Sequence, residues 1–281
     1  MKRRWIIISI VILVVIIVCV YFIFNKEKFN TKTEVYIKNK DNQNIYALIY
    51  RPKTNRKVPM VIYSHGLGAT YRACSDYAKE LLDYDIATIC FDFRGGSDKS
   101  KSDGKTTEMS FLTEYDDLET VLDYVKTLNY VDKNKIILMG SSQGGAISAL
   151  VSSKHDEIAG TILLYPALSI PEVIRNWYKT KEDIKDNVQM TKSITVGKKY
   201  FLDIWNLDPY EEVENDNKNI LILHGTADDV VPIENSRKLN NIYKHSKLYE
   251  IEGAGHGFND EYVLDAMDYV IEYLREQDVI K

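Results

Sequence analysis

Residues 136–150 read "IILMGSSQGGAISAL". An apolar run ends in Gly140, two serines and a glutamine follow, and Gly144 and Gly145 lead into Ala-Ile-Ser-Ala-Leu. An apolar run stopped by glycine reads as a buried strand, and the small apolar residues after it suit a packed helix. Gly140-Ser141-Ser142-Gln143-Gly144 fits the pattern G-x-S-x-G, with Ser142 at its centre. At such a strand-to-helix corner the central serine takes a strained backbone conformation that pushes its hydroxyl out at the end of a sheet. Glycines flank it because a Cβ there collides with neighbouring backbone. Ser141 then points into the body of the domain.

Working outward, residues 33–51 alternate around the polar turn "KDNQN" and predict a β-hairpin. Short apolar runs at 58–66, 86–93, 135–140, 159–167, 219–225 and 246–253 predict strands. Segments 71–84, 110–128, 143–153, 233–243 and 260–276 predict helices, with Phe111, Leu112, Tyr115, Leu118, Val121, Leu122 and Val125 at helical spacing in the second. Strands and helices alternate, and the inner strands are apolar on both faces. That is the signature of a mostly parallel sheet flanked by helices, an α/β fold whose ligands bind at the carboxyl ends of the strands. Residues 167–218 break the alternation and are too long for a simple connection. With Trp177, Tyr178, Tyr200, Phe201 and Trp205, they read as a partly helical lid insertion; the alternative is a surface excursion with its own aromatic core.

The corner serine carries chemistry only with a base, because a serine hydroxyl is a weak nucleophile near neutral pH. Of five histidines, His65 and His224 each precede a glycine at a strand end and read as loop braces. His155 and His245 read as solvated. His256, in "EGAGHGFND" just past the last strand, sits on a glycine-flanked loop at the ligand end of the sheet and is the candidate base. A carboxylate must fix that imidazole's tautomer. "LHGTADDVVP" offers Asp228 and Asp229, and Asp208 in Asp-Pro-Tyr is a third candidate. An oxyanion needs two preset N–H donors, for which the backbones of Gln143 and of Leu67 in "SHGLGAT" are the candidates.

The 281-residue chain is 45% hydrophobic and 27% charged, enough for one large core. Lys2, Arg3 and Arg4 precede Trp5–Phe24, 20 residues without a charge. As a helix that stretch spans roughly 30 Å, the thickness of a bilayer core. Residues 1–24 therefore predict a single-pass membrane anchor, 25–32 a linker, and 33–281 one domain. A cleavable signal peptide is the competing reading, but bulky residues run through Val20-Tyr21-Phe22-Ile23-Phe24 where a small-residue cleavage site belongs. The basic triplet stays cytoplasmic, which puts the domain outside. Setting those three charges aside takes the net charge from −5 to −8, a poor balance for binding nucleic acid. Cys74 and Cys90 read as two buried thiols rather than a disulfide framework.

The stretches "SHGLGA", "FDFRGGSDKSKSDGKTTEMS", "GSSQGG", "LLYPAL", "HGTADDVVP" and "IEGAGHGF" together resemble the α/β-hydrolase superfamily over residues 33–276. Within it the chain is similar to bacterial cinnamoyl/feruloyl esterases, with serine-aminopeptidase-like and monoacylglycerol-lipase-like hydrolases as near neighbours. The chain departs from the family pattern in having Ser141 before the central serine and Gly96 in "RGGS", where histidines often stand. The resemblance favours Asp228 over Asp229 and gives the order Ser142, Asp228, His256. It implies hydrolysis of carboxylic esters through an acyl-enzyme, with no metal or organic cofactor. The substrate expected is a small ester with an apolar or aromatic acyl group. A serine peptidase or acyl-thioesterase uses the same residues, and a non-catalytic binding protein of this fold is the alternative outside enzymes.

Overall fold

The apolar run before Gly140 is the second half of an eleven-residue strand, β5 (Val131–Ser141). In the computed structural model, which describes residues 31–281 except the side chain of Asp260, its side chains alternate between two apolar layers. Ile136 and Leu138 enter one layer, Ile137 and Met139 the other. In β3 (Val58–Ser64), Met60 and Ile62 divide from Val61 and Tyr63 in the same way. A strand turns successive side chains to opposite faces, so only a sheet covered on both sides tolerates such unbroken apolar runs.

The remaining strands of the main sheet are β1 (Thr31–Lys38), β2 (Asn44–Arg51), β4 (Ala87–Phe91), β6 (Gly160–Leu164), β9 (Ile220–Gly225) and β10 (Ser246–Ile251). The eight lie in the order β1-β2-β4-β3-β5-β6-β9-β10. The pairs β1–β2 and β2–β4 are antiparallel and all others parallel. The hairpin expected over 33–51 is β1 and β2. One face is covered by α1 (Ser75–Leu82) and α8 (Asp260–Glu276), the other by α2 (Phe111–Thr127), α3 (Gln143–Ser152) and Leu239 of α7 (Glu234–Ile242).

Helix α2 begins at a reciprocal cap: Ser110 Oγ accepts from Thr113 N–H, and Thr113 Oγ1 accepts from Ser110 N–H. Phe111, Leu118, Val121, Leu122 and Val125 then form its fully buried stripe. Each such side chain contributes about 2 kcal/mol of burial. The helix expected over 71–84 is split into a 3₁₀ turn (Tyr71–Cys74) and α1. Asp92 holds the turn by accepting from Tyr71 N–H at 2.6 Å.

Cys74 and Cys90 are a disulfide, not two thiols, with Cα atoms 5.7 Å apart. Their 16-residue separation hides this from local pattern, because α1 folds back directly over β4.

Residues 167–218 hold α4 (Ile170–Trp177), a 3₁₀ turn (Lys181–Asp183), the strand pair β7 (Asn187–Gln189) and β8 (Thr195–Gly197), α5 (Lys198–Asp203) and α6 (Pro209–Val213). Ile174, Ile184, Ile194, Val196, Tyr200 and Phe201 join the layer under α2 and α3, so the insertion shares the main core. The expected anchor over 1–24 lies outside the described residues. Among the described residues no helix is long and apolar enough to cross a membrane.

Candidate active site

Ser142 stands between β5 and α3 with φ 52° and ψ −122°. That is a strained conformation for a residue with a side chain. Its backbone is fixed on both sides: Ser142 N–H donates to Leu164 O at 2.9 Å, and Ser142 O accepts from Ala167 N–H at 3.0 Å. The flanking glycines leave room for this corner. A Cβ on Gly140 would lie 2.3 Å from Gly144 O, and one on Gly144 would lie 2.3 Å from Ser64 O. No relaxation of a side chain relieves contacts with backbone at that distance.

Ser142 Oγ lies 3.1 Å from His256 Nε2, and His256 Nδ1 lies 2.8 Å from Asp228 Oδ2. The sheet thus brings together side chains 114 and 28 residues apart in sequence. Asp228 has a fully buried side chain. Its Oδ1 accepts from the N–H groups of Val230 and Val231 at 2.9 and 2.8 Å, so Oδ2 is left to face the imidazole. Asp229 is exposed. Asp208 caps α6 instead, accepting from Tyr210 N–H at 3.0 Å.

The loop carrying Leu67 lies against Ser142: a Cβ on Gly66 would sit 3.0 Å from Ser142 Cβ. His65 braces this loop. Its Nδ1–H donates to Gly66 O at 2.8 Å, and its Nε2 accepts from Phe93 N–H at 3.2 Å. Burial lowers its pKa, in keeping with this neutral tautomer. Gln143, the first residue of α3, has no intrahelical acceptor for its own N–H. Leu67 N–H likewise has no backbone acceptor among the described residues.

His224 braces the Asp228 loop. Its Nδ1 accepts from Ser236 Oγ–H at 2.6 Å, and its Nε2–H points to Val231 O at 2.8 Å and Asp228 Oδ2 at 3.2 Å. Burial lowers its pKa more than these neighbours raise it, so the contact with Asp228 is a hydrogen bond from a neutral ring. His155, expected to be solvated, is mostly buried and lies between Glu119 at 2.8 Å and Glu157 at 3.0 Å. His245 is exposed, as its polar surroundings predict.

Three residues beside the site were given no site role by the sequence reading, Tyr200 being named there only among the aromatics of the insertion. Tyr165 follows β6 with φ 37° and sets its ring edge-on to His256, centroids 4.9 Å apart. Glu114 is fully buried on the apolar stripe of α2, and its Oε2 accepts from Gln143 Nε2 at 2.7 Å. Tyr200, from the insertion, donates its hydroxyl to Gln143 Oε1 at 2.6 Å. An acid three residues after Phe111 on a stripe otherwise apolar was the available signal for Glu114. Nothing local marks the other two.

Ser142 and His256 open into a cleft of about 400 Å³ bordered by Leu67, Ala73, Tyr77, Tyr165, Phe258 and Val263, with Arg72 and Asp76 also on its lining. The insertion contributes none of the cleft's lining residues. It reaches the site from behind, through Tyr200 on Gln143 and through Ile194, whose Cγ1 is 2.8 Å from where a Gly68 Cβ would lie.

Residues 55–216, more than half of the chain, match the family model described as serine aminopeptidase, S33. The chain belongs to the serine aminopeptidase S33 family. Residues 203–279 also match the model of the TAP-like proteins. Among solved structures, Est1E from Butyrivibrio proteoclasticus with ferulic acid bound superimposes with a TM-score of 0.79 and 29% identity, covering 86% of this chain and 98% of that one. Acetyl xylan esterase 1 from Thermoanaerobacterium, at 18% identity and a TM-score of 0.64, shares the fold over 87% of this chain and 84% of its own. Among curated relatives, the quorum-quenching protein AidA of Acinetobacter baumannii is 27% identical over 122 residues, 43% of this chain and only 39% of that protein. Protein R595 of Acanthamoeba polyphaga mimivirus is 27% identical over 250 residues, 83% of this chain and 79% of its own length. This S33 family member is thus an α/β hydrolase with esterase-like structural neighbours.

Proposed function

We propose that this protein is a serine esterase held at the cell membrane by residues 5–24. The observation that carries the reading is the unbroken hydrogen-bond chain from Ser142 through His256 to Asp228. His256 Nε2 takes the Ser142 proton as Oγ attacks the ester carbonyl, then returns it to the departing alcohol. Asp228 holds Nδ1–H, keeps the ring in the productive tautomer and stabilises the imidazolium. The N–H groups of Leu67 and Gln143 receive the oxyanion. A water, deprotonated by His256, then releases the acid from the acyl-enzyme. No step calls for a metal or organic cofactor.

The aromatic and aliphatic lining of the cleft, with ferulic acid bound to Est1E, supports an apolar or aromatic acyl group on a small ester. The family's own description favours a second reading, an aminopeptidase using the same three side chains. Purified protein should hydrolyse p-nitrophenyl butyrate, and Ser142→Ala should lower kcat/KM by at least about 1000-fold. Retained turnover in that variant removes Ser142 as the nucleophile. Greater kcat/KM on aminoacyl amides or acyl thioesters than on esters replaces the esterase reading.

The basic triplet before the apolar stretch and the Cys74–Cys90 disulfide both support an extracytoplasmic domain, since disulfides persist in oxidising compartments. The protein should stay with membranes through an alkaline carbonate wash. Recovery of the domain in the supernatant overturns the anchor.

A further inference from the structure

The proposed catalytic groups all follow the carboxyl ends of parallel strands: the Leu67 N–H after β3, Ser142 after β5, Asp228 after β9 and His256 after β10. The described chain begins at the opposite end of the sheet. Thr31 pairs with Arg51, and Tyr50 beside it pairs with Thr88 near the start of β4. Thr31 therefore stands at the base, where the parallel strands start.

Six residues, 25–30, separate the apolar stretch from Thr31. Fully stretched they reach about 20 Å. Running back along the eight residues of β1 to the catalytic end takes about 25 Å. The connection is too short to lay the cleft on the bilayer.

Beside Thr31 the base also carries a basic loop. Residues 51–57, "RPKTNRK", hold four cations and no acid. Lys53, Arg56 and Lys57 are exposed, and Arg56 shares Asp85 at 3.4 Å. Thr31 borders a groove with Arg51, Pro52, Lys53, Thr54 and Asn55, so the chain enters the domain beside this loop. Lys133 and Lys244, at the starts of β5 and β10, are exposed at the same end, as are Asp83 and Asp85 before β4 and Asp156 and Glu157 before β6, so the loop rather than the whole base is the cationic patch.

We infer that the domain stands on the membrane by the base of its sheet, with loop 51–57 against anionic headgroups, and that its cleft opens away from the bilayer. The substrate is then an ester delivered from the aqueous side, not a lipid held in the bilayer. The inference rests on the anchor and esterase readings above.

The test uses the full chain with Cys19→Ala in vesicles of phosphatidylglycerol and phosphatidylcholine containing a headgroup-region quencher. One environment-sensitive fluorophore is placed at Asn55→Cys, at the base, or at Leu264→Cys, next to Val263 of the cleft. Quenching should be several-fold stronger at 55 than at 264. It should fall at 55 when Lys53, Arg56 and Lys57 are all replaced by Glu. In the same vesicles p-nitrophenyl butyrate should be cleaved as fast as in detergent, while a fluorescent diacylglycerol in the bilayer is spared until detergent is added. Stronger quenching at 264, or diacylglycerol cleaved equally fast in vesicles and detergent, overturns the inference. A chain that does not float with the vesicles fails the anchor reading, and this inference with it. A floating chain that cleaves neither ester fails the esterase reading alone, and the quenching still decides orientation.

Discussion

Tyr200 donates its hydroxyl to the side chain of Gln143 at 2.6 Å, tying the insertion to the residue proposed as an oxyanion donor. Both side chains are fully buried. Tyr200→Phe removes one oxygen and leaves Gln143 Oε1 without its donor. The loss is worth about 1 kcal/mol, roughly fivefold in kcat if the N–H shifts with the side chain. Steady-state kinetics should show the fall in kcat with KM nearly unchanged, and thermal denaturation should show a lower Tm.

Glu114, on the other side of Gln143, gives a pH dependence of stability. Burial pushes its carboxyl from an ordinary 4.5 up to about 8; the Gln143 hydrogen bond opposes the rise and Asp117 adds to it. Between those values the folded protein keeps a proton that the unfolded chain has released. Stability therefore falls as pH rises from about 4.5 to about 8, then levels off. Glu114→Gln keeps an acceptor for Gln143 Nε2 and cannot ionise. Its Tm should match the native protein near pH 5 and exceed it at pH 8, which melting curves across that range will read.

Asp228→Asn separates orientation from folding. An asparagine carbonyl can still accept from Val230 and Val231 N–H, and His224 Nε2–H keeps Val231 O as acceptor when it loses Oδ2, so the melting temperature should fall only modestly. The proton pattern facing His256 is inverted, and kcat should fall about 10⁴-fold. A variant with near-native kcat would remove Asp228 from the mechanism.

The Cys74–Cys90 bridge closes a 16-residue span over the wall of the cleft that carries Arg72, Ala73 and Tyr77. Joined as a disulfide, neither sulfur is a free thiol, so the unreduced protein should give no reaction with thiol reagents at these positions even when denatured. Replacing both with serine should lower stability by about 3 kcal/mol, read as the guanidinium midpoint.

Much of the architecture was legible because its causes are local. The apolar runs at Val58, Ile136 and Ile220 are strands since both faces of each are covered, and Gly140 and Gly144 mark the corner since a Cβ would strike backbone. His256 was legible from its glycine-flanked loop beyond the last strand. What stayed hidden depends on where distant segments meet. The Cys74–Cys90 pairing, Tyr200 against Gln143 and Tyr165 against His256 have no periodicity to betray them. Asp228 and Asp229 are alike in local sequence, and only the family resemblance favours the first; the structure gives the physical difference, two backbone donors on Oδ1 of Asp228.

His256 follows Ser142 by 114 residues, and its loop is held by β10 at the outer edge of the sheet. During synthesis the hydroxyl of Ser142 is made long before the imidazole that activates it. A nascent chain that has not yet reached His256 therefore carries the corner serine without its proposed base.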